Sequence, residues 1–265
     1  MRVSQGHQFC NGHRGEALAA VVVVAGLAIE ARIAAAKHAR ALSGGDGRTL
    51  ATSLGFAVAS DCRGIISFGI AGGLSPGVRT GTCLVATSIV SGTTRFITDG
   101  SWSRSLLELI PGAAPGLIAG VPPPFIASPE DKRALHLRTS ALAVDNESHV
   151  VASVAASRGL PVAAVRVVTD TVDRALPRCA WDAMRADGTI DFVAFMRSVA
   201  RNPADIPLLM KTAFDAIAGF ATLLRCRPML GPGLGLPSLR MPARPSAELS
   251  RPAFCRLEEP YGERP

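Results

Sequence analysis

The sequence has few aromatic residues, few lysines and no closely spaced pair of cysteines. Aromatic side chains make up 5% of the 265 residues, and the basic residues (28, against 21 acidic) are almost all arginines, with lysine only at Lys37, Lys132 and Lys211. A nucleic-acid-binding surface needs basic clusters interleaved with aromatic side chains, and the arginines here are scattered. The composition therefore argues against a nucleic-acid partner, although the net charge of +7 favours some anionic partner.

The six cysteines lie far apart and form no Cys-x-x-Cys pair. Neither a zinc site nor a disulfide framework is therefore predicted, and the expected setting is the reducing cytoplasm. Residues 17–29 form a run of uncharged, nearly all apolar residues that is too short to span a bilayer. Its length also suits a signal-peptide core, but its four valines at 21–24 favour a strand buried on both faces.

From residue 17 the chain alternates β-branched runs with alanine-rich stretches of helical spacing. This alternation predicts an α/β domain with a mainly parallel sheet. Residues 1–16 are expected to form a flexible arm, 17–226 the folded domain, and 227–265, rich in Pro, Gly and Arg, a disordered tail. The predicted strands are 18–27, 64–68, 82–91, 141–144 and 161–168, and the predicted helices are 48–60, 129–139, 148–158, 192–200 and 205–226.

Three stretches at predicted strand ends carry residues suited to chemistry. Residues 67–77 are rich in glycine, so their exposed backbone would let a planar ligand approach closely, unless they form a plain turn. Asp145 and Glu147 follow a short apolar strand, where they would either bind a sugar diol or cap the next helix. Asp170 ends another strand. Its carboxyl group would either form part of a turn or, with a raised pKa, donate a proton. Together these are the parts needed to cleave a ribosidic bond.

The three stretches resemble motifs of the purine nucleoside phosphorylase and methylthioadenosine/S-adenosylhomocysteine nucleosidase superfamily. The matching segments are 69–74 (Gly-Ile-Ala-Gly-Gly-Leu), 145–148 (Asp-Asn-Glu-Ser) and 166–170 (Arg-Val-Val-Thr-Asp). Segments 26–32 (Gly-Leu-Ala-Ile-Glu-Ala-Arg) and 173–177 (Asp-Arg-Ala-Leu-Pro) are most similar to the hopanoid-associated phosphorylase branch. The resemblance implies a three-layer sandwich with a mixed, mainly parallel sheet, and it implies a homo-oligomer.

The resemblance also implies a role for each matching residue. Asp170 would protonate N7 of an adenine leaving group, Glu147 would bind the ribose hydroxyls, and Glu30 would activate water. The substrate would further contact residues that line the base and the sugar, which are Gly69, Ala71, Gly72, Ser128, Asn146 and Thr169. Two of these depart from the family pattern, because Asn146 stands in place of methionine and Thr169 in place of serine.

The sequence leaves the nucleophile open between water and phosphate. If phosphate attacks, the turn at Gly44 and Gly45 with Arg48 or Arg32 would hold it through backbone N–H groups and a guanidinium. Neither an organic cofactor nor a metal is predicted.

The function predicted on this resemblance is cleavage of the N-glycosidic bond of adenosylhopane, a lipid nucleoside, with release of adenine. The alternatives are a nucleosidase for methylthioadenosine or S-adenosylhomocysteine, and a non-catalytic nucleoside- or lipid-binding protein of the same fold. The positive charge and an apolar helical stripe at 206–224 would suit a peripheral membrane contact.

Overall fold

The computed structural model describes residues 21–237 except 45–46, 59–60, 125, 178, 180–181, 184, 186–187 and 190. The predicted arm at 1–16 and the segment 238–265 lie outside the described residues. The elements in chain order are β1 (Val21–Ala25), α1 (Ala28–Ala34), β2 (Ala39–Ser43), α2 (Gly47–Ala57), β3 (Gly64–Gly73), β4 (Cys83–Ser91), β5 (Thr94–Ile97), α3 (Gly100–Leu109), β6 (Ala114–Gly120), α4 (Pro129–Thr139), β7 (Ala143–Asp145), α5 (Ser148–Arg158), β8 (Val162–Asp170), α6 (Phe192–Arg201) and α7 (Ile206–Met229).

The strands form one mixed sheet in the order β2-β1-β3-β7-β6-β4-β5, and β8 pairs with both β3 and β4. β1 runs parallel to β2 and β3, β3 to β8, and β6 to β4 and β7. The pairs β3–β7, β4–β5 and β4–β8 are antiparallel. The sheet is thus mixed and mainly parallel, as predicted, and β8 closes strands β3, β7, β6 and β4 into a ring.

Helices cover both faces of this sheet because the side chains of β1 point alternately to each side. Val22 and Val24 pack with Leu50 and Leu54 of α2 in one cluster, which also includes α5. On the other face, Val21 and Val23 belong to a cluster that includes Trp102 of α3 and Leu223 of α7. The predicted three layers of helix, sheet and helix are confirmed.

The predicted helices at 129–139 and 148–158 coincide with α4 and α5. Local signals fix both ends of α4, because Ser128 accepts a hydrogen bond from the Asp131 N–H and Ser140 adopts a left-handed conformation at the end. The sequence prediction omitted five elements, namely α1, β2, β5, α3 and β6. Most of these are short or lack a clear apolar period.

The predicted tail begins too early in the chain. α7 continues to Met229, and Leu230, Leu234 and Leu236 are buried against the core. The Trp102 indole N–H donates to the Leu234 carbonyl at 2.9 Å. These three leucines supply apolar surface that outweighs the glycine-rich composition around them, so 227–237 packs on the domain.

One helical stretch, Pro203–Met229, is long and apolar enough to cross a membrane by length and composition alone. Only 17% of its most apolar window is buried within the protein.

We expect Trp102→Ala to lower the free energy of unfolding by about 3–5 kcal/mol, because it empties a fully buried site. Phe56→Ala is the matched control, since Phe56 is 84% exposed and its removal should change stability by less than about 0.5 kcal/mol. Urea unfolding followed by circular dichroism measures both. Equal losses for the two variants would contradict this account of the core.

Candidate active site

Asp170 is the last residue of β8, a strand that is buried along its whole length. Opposite β3, Ala71 pairs with Val168 but Gly72 pairs with Asp170, so Thr169 is an extra residue in the ladder. Such a bulge bends a strand and re-aims the side chain beside it. The Asp170 Oδ2 atom lies close over Gly72, 3.3 Å from where a Cβ on that glycine would be.

The Asp170 carboxyl is almost fully enclosed, with the residue 4% exposed. Lys132 Nζ donates to its Oδ2, and the Thr169 hydroxyl donates to its Oδ1 at 3.2 Å. Burial raises the pKa of Asp170, and the Lys132 ammonium acts in the opposite direction. Asp170 is therefore a buried acid that can hold or release a proton within the protein.

Lys132 reaches Asp170 from the first turns of α4, which begins at Pro129. Its side chain is fully buried, and Nζ also donates to the carbonyls of Thr171 at 3.1 Å and Arg174 at 2.7 Å. All three ammonium protons are thus used. Sequence reasoning missed this residue, because Lys132 stands among charged neighbours that indicate a solvated helix face.

Arg166, four residues before Asp170 on β8, is a second buried cation and is 0% exposed. Its Nη2 donates to Ser67 at 2.6 Å and to Glu147 Oε2 at 3.1 Å, and its Nε lies 3.0 Å from Asp145 Oδ2. Nη1 donates to the Ile70 carbonyl at 3.2 Å. The nearby carboxylates raise the pKa of Arg166 against the effect of burial, so it stays charged.

Glu30 faces the same guanidinium from α1 and is 1% exposed. It accepts hydrogen bonds from the N–H groups of Ile70 at 2.6 Å and Leu27 at 2.7 Å. Burial raises its pKa, while Arg166 lowers it. A Cβ on Gly69 would lie 2.6 Å from Glu30 Oε1 and 2.8 Å from Arg166 Nη1, so only glycine allows this approach.

Glu147 and Asp145 have different roles at the start of α5. Asp145 accepts from the N–H groups of Glu147 and Ser148 at 2.9 and 2.6 Å, so it is the residue that caps the helix. Glu147 makes no side-chain cap bond and contacts Arg166, with 16% of its side chain exposed. Burial, together with the charges of Asp145 and Glu30, raises the pKa of Glu147 to about 7 despite Arg166.

The other predicted substrate-contacting residues surround these acids. Ala71 is buried, and its carbonyl accepts from the Thr169 hydroxyl at 3.4 Å. Asn146 is half-buried, and its Nδ2 donates to the Val121 carbonyl at 2.8 Å. The Ser128 hydroxyl is used in capping α4, one turn before Lys132.

Of the predicted phosphate-binding residues, Arg32 lies on α1, Gly44 follows β2 and Arg48 lies on α2. The side chains of Arg32 and Arg48 are exposed. Gly44 is approached by Gly188, on which a Cβ would lie 3.3 Å from the Gly44 Cα, and Gly45 lies outside the described residues.

The resulting site has two parts joined by β8. At one part, Glu147 pairs with the Arg166 cation and Glu30 lies nearby, and at the other the buried acid Asp170 contacts Lys132. Carboxylates beside a fixed cation can accept hydrogen bonds from hydroxyl groups, and a buried acid can protonate a leaving group. Cleavage of a glycosidic bond to a base needs both capabilities.

Comparison with known proteins gives a family match and a set of similar folds. The family model described as the phosphorylase superfamily matches residues 9–210. No curated protein matches the chain.

Solved structures of nucleosidases have a similar fold at low sequence identity. Futalosine hydrolase of Helicobacter pylori has a TM-score of 0.52 at 17% identity, with 69% of this chain and 97% of that chain covered. The 5'-methylthioadenosine/S-adenosylhomocysteine nucleosidase from H. pylori gives 0.54 at 17% identity, covering 80% and 98%. The same enzyme from S. pneumoniae gives 0.54 at 16% identity, covering 79% and 99%.

We expect Lys132→Met to lower the free energy of unfolding by about 3–5 kcal/mol at pH 8, because it leaves the Asp170 carboxylate buried without its cationic partner. Removing the ammonium raises the folded-state pKa of Asp170 further. As the pH falls towards 5, Asp170 becomes protonated and loses its charge, so the loss in the free energy of unfolding should become smaller. Urea unfolding across this pH range measures the effect.

Two further variants control for this prediction. Arg133→Met removes the neighbouring, half-exposed cation and should cost less than about 1 kcal/mol. Lys132→Met combined with Asp170→Leu should recover much of the loss, since no charge then remains unpaired. Strictly additive losses in that double variant would refute a coupled pair.

Proposed function

The chain belongs to the phosphorylase superfamily, and on this basis we propose that it cleaves the N-glycosidic bond of an adenosylated substrate and releases adenine. The observation that carries the proposal is the position of the buried acid Asp170. It lies on β8, the same strand as Arg166, which forms an ion pair with Glu147. One strand thereby presents a proton donor for the base and a carboxylate for the ribose.

The proposed reaction begins with the bond between the ribose C1' and N9 of adenine. As this bond breaks, its electron pair passes to the base, and Asp170 gives its proton to N7. Glu147 accepts hydrogen bonds from the ribose hydroxyls and stabilises the positive charge that develops on the sugar. The burial that raises the pKa of Asp170 favours the protonated form that this step consumes.

Water is the nucleophile that the local contacts favour. Glu30 lies near Arg166 and Glu147, where it would take a proton from water as the oxygen attacks C1'. The arginines considered for phosphate binding, Arg32 and Arg48, are exposed. We therefore propose hydrolysis, with phosphorolysis as the alternative that the assay below separates.

For the substrate we propose adenosylhopane, with a homo-oligomeric, cytoplasmic enzyme that reaches the lipid at a membrane surface. Residues 26–32 and 173–177 support this choice through their resemblance to the hopanoid-associated branch. The second candidate is a small thionucleoside, favoured by the similarity of fold to methylthioadenosine/S-adenosylhomocysteine nucleosidases.

We expect purified protein to release adenine from adenosylhopane without added phosphate, as detected by chromatography. Asp170→Asn should lower the rate at least about 100-fold, because it removes the proton donor. Asp173→Asn is the matched control, since its side chain is 70% exposed, and it should leave the rate unchanged.

Other outcomes of this assay assign the alternatives. Release from methylthioadenosine but not from the lipid would select the second candidate. A strict need for phosphate would replace hydrolysis by phosphorolysis. Tight nucleoside binding by a folded protein without any release would disprove the catalytic proposal and favour the non-catalytic protein.

Substrate affinity should depend on pH through Glu147, whose pKa is raised to about 7. The carboxylate accepts hydrogen bonds from hydroxyls better than the protonated acid, so binding should tighten as the pH rises through about 7. Calorimetric titration of methylthioadenosine into the Asp170→Asn variant, which should not turn it over, tests this expectation. Adding Glu147→Gln should remove the pH dependence, and its persistence would rule out Glu147 as the titrating group.

A further inference from the structure

α7 carries a continuous apolar stripe on its exposed side. Ile206, Met210, Phe214, Ile217 and Leu224 are between 43% and 68% exposed, and they recur at steps that keep them on one side of the helix. At 1.5 Å per residue the stripe is about 27 Å long. Single exposed apolar residues are common on soluble proteins, but a stripe of this length indicates a binding surface.

The opposite side of α7 holds the helix on the domain. Gly219, Thr222, Leu223 and Cys226 are buried there. Gly219 packs against Thr169, so closely that a Cβ on it would lie 2.5 Å from the Thr169 side chain. These buried residues all lie in the second half of α7, so the helix is held on the domain from Gly219 onwards with its apolar stripe outward, and it is not a free membrane-spanning segment.

The charges around the stripe are of one sign. Within 192–229, the exposed charged side chains are all basic, and they are Arg197, Arg201, Lys211 and Arg225. The acids of this segment are partly buried, and Asp215 pairs with Arg174 at 3.1 Å. An apolar helix face bordered by basic side chains fits the boundary between the headgroups and acyl chains of an anionic bilayer.

A second copy of the chain fits this surface less well. Two copies that met through their α7 stripes would bring Lys211 and Arg225 of each copy close to the same basic residues of the other. Like charges facing each other across an interface oppose association.

The apolar surface is extended by α6, where Phe192, Val193 and Met196 are also exposed.

We propose that the α7 stripe docks on the surface of an anionic phospholipid membrane, with the helix axis in the membrane plane and Lys211 and Arg225 at the phosphate level. This deepens the proposed function by naming the membrane partner. Its test measures binding without substrate, so failure of docking and failure of the reaction are distinguishable.

The test is co-sedimentation of the full chain with vesicles of phosphatidylglycerol and phosphatidylcholine in equal parts, against vesicles of phosphatidylcholine alone. We expect binding to the anionic vesicles at least about tenfold tighter than to the neutral ones, and weakened by 0.5 M salt. The double variant Phe214→Glu with Ile217→Glu should lower binding at least about tenfold. Circular dichroism confirms that each variant is folded.

Phe56→Glu is the matched control, because Phe56 is 84% exposed on α2, which packs on the other face of the sheet. It should leave vesicle binding unchanged. Lys211→Gln with Arg225→Gln should reduce binding to anionic vesicles only.

Three outcomes would overturn the proposal. The first is a wild-type chain that does not sediment with anionic vesicles. The second is an equal loss of binding in Phe56→Glu. The third is a wild-type dimer in analytical ultracentrifugation that Phe214→Glu with Ile217→Glu makes monomeric without any vesicle binding, which would assign the stripe to a second copy.

Discussion

The buried guanidinium of Arg166 is the constraint on which the rest of the site depends. A cation that is 0% exposed costs several kcal/mol unless carboxylates and hydrogen-bond acceptors surround it. Glu147 and Asp145 from the start of α5, and Glu30 from α1, meet this requirement. Two elements distant in sequence, α1 and the start of α5, are thereby drawn to one point on β8. The approach also requires Gly69 on β3, since a larger residue would occupy the space of the Arg166 and Glu30 side chains.

The second buried pair, Lys132 with Asp170, follows the same logic at the end of β8. Lys132 offsets the cost of ionising Asp170, yet burial still holds the pKa of this acid above its usual range. A raised pKa favours the protonated form, which an acid that protonates a leaving group requires. The charges that would carry the chemistry are therefore also charges that the folded state needs. Substitutions here should affect stability and activity together, which is why the control variants lie at exposed neighbours.

The sequence predicts the framework of this molecule better than its electrostatics. The valines of β1 and the capped helices α4 and α5 carry local signals, so their existence follows from periodicity and turn chemistry. The strand ends with Glu147 and Asp170 are predictable for the same reason. The ion pair between Lys132 and Asp170 cannot be predicted in this way. The two residues are 38 apart in the sequence, and the packing that brings them together has no local sequence pattern. The sequence places the start of the tail too early for a similar reason. Leu234 is buried by its contact with Trp102, which is distant in the sequence, and not by its neighbours in the chain.

The position of α7 links the candidate site to the surface of the protein. Its buried side packs on Thr169, next to Asp170, and its exposed side carries the apolar stripe. The acid and the surface that we propose for the membrane therefore lie on opposite sides of one helix, whose diameter is about 10 Å. If a nucleoside carries a lipid tail, its adenine must reach Asp170 while the tail remains near the bilayer. A tail attached to the ribose would span that distance more easily than one attached to the base, because the mechanism that we propose places the base beside Asp170. The geometry thus favours substrates whose apolar group extends from the sugar.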